Sequence, residues 1–338
     1  LGIGAIFMVT GSLDLFQAQA ALLNAQPEVV KWILVSFTAG FAVKMAVVPV
    51  HIWLPDTYAE SPAPITAILS AVITGAGAYA MLRIALGTVF PAISATAFGS
   101  QFMSALTFFG ILSAFFGSLI AMAATDIKKI VAYSSIAQMG YVLFGLSLFP
   151  IPIAVVGTVL HLVTHGVSKG LLFLSSGAII KSLKTRDITK MGGLAEQMPL
   201  TATYSTASAF SIAGVPPFAC FISELLIFMG AIQKLNVDGN FIVPIVLMLI
   251  ATVFSLGYGT AWSMYAASAS DYFSRESSGS IVGLWTVYLG IGSVISPIIA
   301  GWIADTTGTL SWAFILAAAA GMASFLLLIP MWKVSPAN

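Results

Sequence analysis

Residues 161–172 read HLVTHGVSKGLL. His161, His165 and Lys169 follow one another at i, i+4 and i+8. On a helix turning about 100° per residue they drift only about 80°, so they form one stripe. At about 1.5 Å rise per residue the stripe runs about 12 Å along the axis. Imidazoles exchange protons near neutral pH, and burial brings amines and carboxylates toward the same range. A row of such groups is suited to handing protons along, each charge altering the proton affinity of the next. One isolated histidine on an apolar helix more often just hydrogen-bonds to a neighbouring helix, and a lysine near a helix end snorkels. Lys169 resists that plainer reading. It is followed by GLLFLSSGAII, with no water near in sequence, and an unpaired charge at mid-membrane costs at least ~3 kcal/mol.

Two more ionisable groups interrupt apolar runs. Lys44 lies in FTAGFAVKMAVVPVHIWLP and Glu224 in AGVPPFACFISELLIF. Pro216 and Pro217 remove two amide donors, and Pro49 removes one just after Lys44. Both segments are expected to be interrupted helices, their freed carbonyls left to bind water or polar groups. A lone proline in a membrane helix is more often a kink. The i, i+4 histidines have the spacing to share a metal, but no third suitable ligand adjoins them. Cys220 is the single cysteine, which excludes an internal disulfide and a cysteine-built metal site. Neither a metal nor a cofactor is expected.

The elements that must position these groups follow from composition. The 338 residues are 59% hydrophobic and 7% charged, with mean hydropathy +1.02. A soluble chain would carry roughly a quarter charged residues, so lipid is the expected solvent. The net charge of +1 makes no case for a nucleic-acid partner. Apolar segments run over 1–13, 29–50, 63–88, 102–124, 129–149, 151–180, 199–233, 241–269, 279–303 and 310–332. The first is too short to span and reads as the tail of a cut helix, in a chain that opens at Leu1 inside an apolar stretch. The expectation is an all-α, polytopic transmembrane helix bundle of about nine crossings. Helices satisfy the backbone within the bilayer, and no alternation of a barrel is visible.

Basic residues assign the sides. One set of connections holds Lys128, Lys129, Lys181, Lys184, Arg186, Lys190, Arg275 and Lys333, and the other holds Lys31 and Lys234. That imbalance makes the first side cytoplasmic. The expected location is the inner (cytoplasmic) membrane of a prokaryote.

Over about residues 1–235, VKMAVVPVHIWLPDTYAESPAPITAIL, TDIKKIVAYSSIAQMGY, HLVTHGVSKGLLFLSSGAI and GGLAEQMPL…AGVPPFACFISE resemble the antiporter-like membrane subunits of respiratory complex I. The large subunits of multisubunit sodium/proton antiporters and of membrane-bound hydrogenases belong to the same family. The resemblance implies that Lys44 is the lysine beside a broken helix and His51 the histidine after it. It makes His161, His165 and Lys169 the central relay, and Glu224 the ionisable group of the second broken helix. It also implies proton translocation without a redox centre in this chain, and other membrane subunits as partners.

Two departures stand beside the resemblance. Gly75, in VITGAGAYAM, stands where the family has a second central lysine. The family's glutamate partner for the Lys44 position belongs to a helix preceding those of this chain. Residues 245–333, after a junction at 236–244, instead resemble the last three helices of a major facilitator superfamily transporter. Asp271, Arg275, Glu276 and the GWIADTTG turn carry that likeness. The leading expectation is a proton-translocating antiporter-like subunit, with sodium as the alternative ion. A facilitator-type solute carrier is the alternative of another class, although three helices cannot build its two six-helix halves. A non-conducting scaffold is the third. The five groups Lys44, His161, His165, Lys169 and Glu224 are expected to point into the bundle. The tail is expected to pack loosely against residues 1–235.

Overall fold

Each long helix begins where the sequence supplies a start signal. A computed structural model of the chain describes residues 1–192, 194–215, 218–238 and 242–249. Gly2–Thr10 (α1) ends at Gly11 in the left-handed region, φ 68°. Leu15–Leu22 (α2) is capped by Asp14, whose carboxylate accepts from the amides of Phe16 and Gln17. The two meet at a 71° bend. Pro27 opens Pro27–Met45 (α3), a position where its missing N–H costs nothing. The chain then breaks. Ala46 turns left-handed at φ 55°, and Trp53–Glu60 (α4) starts only after it. The break is satisfied from both sides. The Trp53 indole N–H donates to Val43 O at 2.9 Å, and the Val48 amide donates to Ser113 Oγ at 2.9 Å.

A single rod, Ala63–Ala92, contains Ala63–Ile68 (α5) and Thr74–Ala80 (α6), with wider π-type turns at Leu69–Ile73 and Met81–Val89. Thr96 caps Ala97–Ala123 (α7), Asp126 caps Ile127–Leu146 (α8), and Pro152 opens the 32-residue Pro152–Leu183 (α9). Leu194–Gln197 (α10), Pro199–Ile212 (α11) and Ala219–Asp238 (α12) follow, and 242–249 is helical.

α8 is the axis of the bundle. It is buried on nearly every side from Ile130 to Leu146, as expected of a helix that is not amphipathic. Its residues join all three apolar clusters: Met139 and Leu143 with Ile33 and Met81, Ile136 with Leu54 and Phe173, and Phe144 with Ala154 and Ile227. Glycines set its distance from α7. A Cβ on Gly110 would lie 2.7 Å from Phe144 N, and one on Gly117 would lie 2.5 Å from Ala137 N. Such backbone contact is how helices associate in lipid, where the hydrophobic effect gives little drive.

Among the described residues, four helices are long and apolar enough to cross a membrane: Ala63–Ala92, α7, α9 and Ala219–Val237. The bent pair α1–α2 makes a fifth if counted as one span. The expected nine crossings are not all counted among these residues. The run at 29–50 is divided at Ala46, and the run at 199–233 is divided after Ile212. α3 and α8 have spanning length but start with charged first turns. The segments expected at 279–303 and 310–332 lie outside the described residues, as does most of 241–269. The facilitator-like tail, 245–333, falls almost wholly there as well, and the junction at 236–244 is described except for 239–241. Both interruptions are found. Around Pro49 the helix stops at Met45 and resumes at Trp53. Pro216 and Pro217 are themselves outside the described residues, but α11 stops at Ile212, Gly214 turns at φ 67°, and α12 starts at Ala219.

Candidate functional site

α9 is continuous through its ionisable stripe, so helical spacing alone puts His161, His165 and Lys169 on one face. All three are buried, Lys169 completely. α8 faces them. Lys169 Nζ donates to Val131 O at 3.0 Å and to Ser134 Oγ. Both acceptors are neutral, and none of the ion pairs between described residues involves Lys169. One turn back, the His161 and His165 rings lie 6.3 Å apart at 25°. The Tyr141 ring of α8 lies 6.2 Å from His161 at 26°. The result is a short column of π faces running from α8 into the stripe.

α11 and α12 close the other side with hydroxyls. His161 Nδ1 is 2.9 Å from Ser223 Oγ, and Ser223 in turn donates to Cys220 O at 2.8 Å. Ser168, beside Lys169 in sequence, donates to Ser211 Oγ at 2.8 Å. Ser211 Oγ is 3.6 Å from Cys220 Sγ. Glu224 follows Ser223 on α12 and is 6% exposed. Its carboxyl group lies against Gly214, where a Cβ would collide with it. The left-handed φ and this approach both call for glycine there. Gln138 of α8 holds the end of the broken helix, its Nε2 donating to Ile212 O at 3.0 Å. The wide turn at Leu69–Ile73 seats Ser70 3.3 Å from Ser135. Its Ala71 carbonyl lies where a Cβ on Gly166 would approach to 2.6 Å.

His161, His165, Lys169 and Glu224 therefore point into the bundle. Lys44 does not. Its side chain is exposed, against the expectation that it faces inward. The base of its stem packs on α6, where a Cβ on Gly77 would lie 3.2 Å from Cβ and Cγ of Lys44. A Cβ on Gly75 would meet nothing within 4 Å. His51 sits half-buried in the first break. Among the described residues, no three His, Cys, Asp or Glu side chains come together as a metal site.

The sequence reading missed the neutral partners: Ser134, Gln138, Ser168, Ser211 and Ser223. Two signals point toward them. Ser134 and Gln138 are four apart in an apolar run, and Ser223 directly precedes Glu224.

Residues 1–255 match the family model described as NADH:quinone oxidoreductase/Mrp antiporter, transmembrane. The chain belongs to this family. It is accordingly a multi-pass membrane protein. Subunit M of the NADH-quinone oxidoreductase of Pseudomonas aeruginosa is 34% identical over 278 residues, which cover 82% of this chain and 51% of that protein. A chain of the Mrp complex from Dietzia sp. superposes with TM-score 0.68 at 27% identity, covering 79% of this chain and 47% of that one. A chain of an archaeal respiratory complex, the membrane-bound sulfane sulfur reductase, superposes with TM-score 0.70 at 26% identity, covering 94% of this chain and 63% of that one. The chain spans about half the length of the curated relatives it matches. This member of the antiporter family thus shares with its relatives the fold that buries the α9 stripe.

Proposed function

We propose that this chain moves protons through the membrane along His161, His165, Lys169 and Glu224, as an antiporter-like subunit of a larger respiratory or antiporter-type complex. One observation carries the reading: Lys169 is wholly buried in an apolar bundle, and its hydrogen bonds among the described residues go to neutral oxygens. An ammonium there is stabilised by dipoles, with no ion pair among the described residues. It is the kind of site that both accepts and gives up a proton, because neither state is locked by an ion pair. Like charges one helical turn apart repel, so Lys169, His165 and His161 charge in alternation and not together. Ser223 and Glu224 bring the second broken helix to the far end of the stripe. A change of charge at Glu224 therefore acts on the helix end that Gln138 holds.

The proposed partners are other membrane subunits and the lipid bilayer, with the proton as the ion and sodium as the alternative. The proposed location is a bacterial inner membrane. The end bearing Lys128, Lys129 and the 181–190 segment is assigned to the cytoplasm by its positive charge. The exposed Lys44 and the open Gly75 support a second reading, in which the chain serves as a non-conducting scaffold.

Flux separates the two. In liposomes containing the full chain, an imposed potential should drive proton entry reported by an internal pH dye. Glu224→Gln should slow that entry about a hundredfold or more, the range seen for loss of a proton-transfer group. No entry with the unaltered chain would support the scaffold. Entry that depends on external sodium at constant pH would reassign the ion.

A further inference from the structure

We propose that Ser223 is the positioning residue that fixes the tautomer of His161, so that Nε2 is the atom that takes and releases the proton. The assignment rests on the relay reading of the same stripe, but its geometry stands alone. A carbonyl oxygen only accepts hydrogen bonds. The Ser223 hydroxyl hydrogen is directed to Cys220 O at 2.8 Å, which leaves the Ser223 lone pairs facing the imidazole at 2.9 Å. The nitrogen on that side, Nδ1, is then the donor and carries the hydrogen. In the neutral ring the other nitrogen is the bare one. Nε2 of His161 is buried and has no hydrogen-bond partner among the described residues. It is thus the open basic position. Thr164 Oγ1 reaches the same serine at 3.5 Å and His161 O at 3.3 Å. It competes for neither ring nitrogen.

The proton balance favours this arrangement. A proton arriving at Nε2 gives an imidazolium whose Nδ1–H remains bonded to Ser223, and departure from Nε2 restores the neutral ring. No covalent rearrangement and no movement of the serine is needed. Were Nδ1 the working atom, its proton would have to pass through the Ser223 hydroxyl toward the Cys220 carbonyl, which cannot relay it. The serine route is therefore a dead end that holds the ring, and the open face is the working one. Because Ser223 is adjacent to Glu224 on α12, a displacement of that half-helix also breaks the bond that sets the tautomer. This gives the second break a direct handle on the relay. α12 is seated closely enough for such coupling: a Cβ on Gly157 of α9 would lie 2.9 Å from Ile227 N.

The test is nitrogen NMR of the full chain in lipid nanodiscs, with ring-labelled histidine. There are only three histidines to separate, and His161→Asn identifies the signal. At a pH where the ring is neutral, His161 is expected as the Nδ1–H tautomer. Ser223→Val should shift the tautomer ratio toward Nε2–H by about tenfold, the equilibrium weight of one buried hydrogen bond. Ser223→Thr, of the same shape but with a hydroxyl, should keep the original ratio. An Nε2–H ring in the unaltered chain overturns the proposal, as does an unchanged ratio in Ser223→Val. If Ser223→Val fails to insert, Ser223→Ala takes its place with the same expected shift. Proton entry into liposomes is measured on the same variants. A tautomer that responds as expected in a chain without flux would remove the transport proposal and leave this one standing.

Discussion

Lys169 has three donors, and Val131 O and Ser134 Oγ engage two of them. A hydrogen bond to a charged group contributes about 1.5–3 kcal/mol. Ser134→Ala is therefore expected to destabilise the folded chain by about 1–3 kcal/mol. Ser135→Ala, whose neighbouring hydroxyl bonds Val131 O and meets Ser70, should cost less. Chemical unfolding in detergent, followed by tryptophan fluorescence, compares the two. Equal losses would mean that the lysine draws nothing special from Ser134. The contrast between lysine and serine also explains what was readable in advance. The stripe of His161, His165 and Lys169 depends only on helical spacing and on the cost of a charge in lipid, both local. Serines in apolar helices commonly bond their own backbone, as Ser176 does with Leu172 O. Only the packing of α8, α11 and α12 against α9 separates Ser134, Ser211 and Ser223 from that background. Lys44 is the converse case: its charge suggested burial, and its side chain is exposed.

At the scale of elements, the two interruptions were announced by prolines: α3 stops at Met45 before Pro49, and α11 stops at Ile212 with α12 starting at Ala219. The clasp that holds the first broken helix was not legible. Lys128 is 3% exposed, and its Nζ donates to Ala59 O at 3.0 Å and to Ser61 O. It thereby satisfies carbonyls at the end of α4 that have no intrahelical partner. Around it lie surface pairs, Lys129–Asp56 at 2.9 Å and Arg186–Glu60 at 3.0 Å. Backbone bonds from Ile127 to Arg186 O and from Ile188 to Thr125 O join the start of α8 to the segment after α9. In sequence, all these cations counted alike as a positive side. Their energies differ. Lys128→Ala is expected to cost about 2–3 kcal/mol, since two buried carbonyls lose a charged donor. Arg186→Ala should cost under about 1 kcal/mol, as exposed pairs do. Thermal unfolding in detergent ranks them, and a larger loss for Arg186→Ala would contradict the clasp.

For the whole molecule, hydropathy identified the solvent and the helical class, because 7% charge leaves no other place for so much apolar surface. The number of crossings was harder to read. Hydropathy averages over breaks, so 29–50 and 199–233 each count as one apolar run, and only their prolines mark them as interrupted. Among the described residues, what the bundle achieves as a unit is to surround one stripe of α9 with neutral hydrogen-bond partners from α8, α11 and α12, with no ion pair to Lys169. The proposed function rests on that setting and is centred on one side chain, Lys169. The most direct measurement is proton entry into liposomes holding the full chain, compared with Lys169→Met at equal amounts of folded protein. Methionine keeps the length and apolar packing of the lysine stem and removes the proton site. The relay account predicts that entry falls to the level of empty liposomes. Entry at the unaltered rate in Lys169→Met would contradict it.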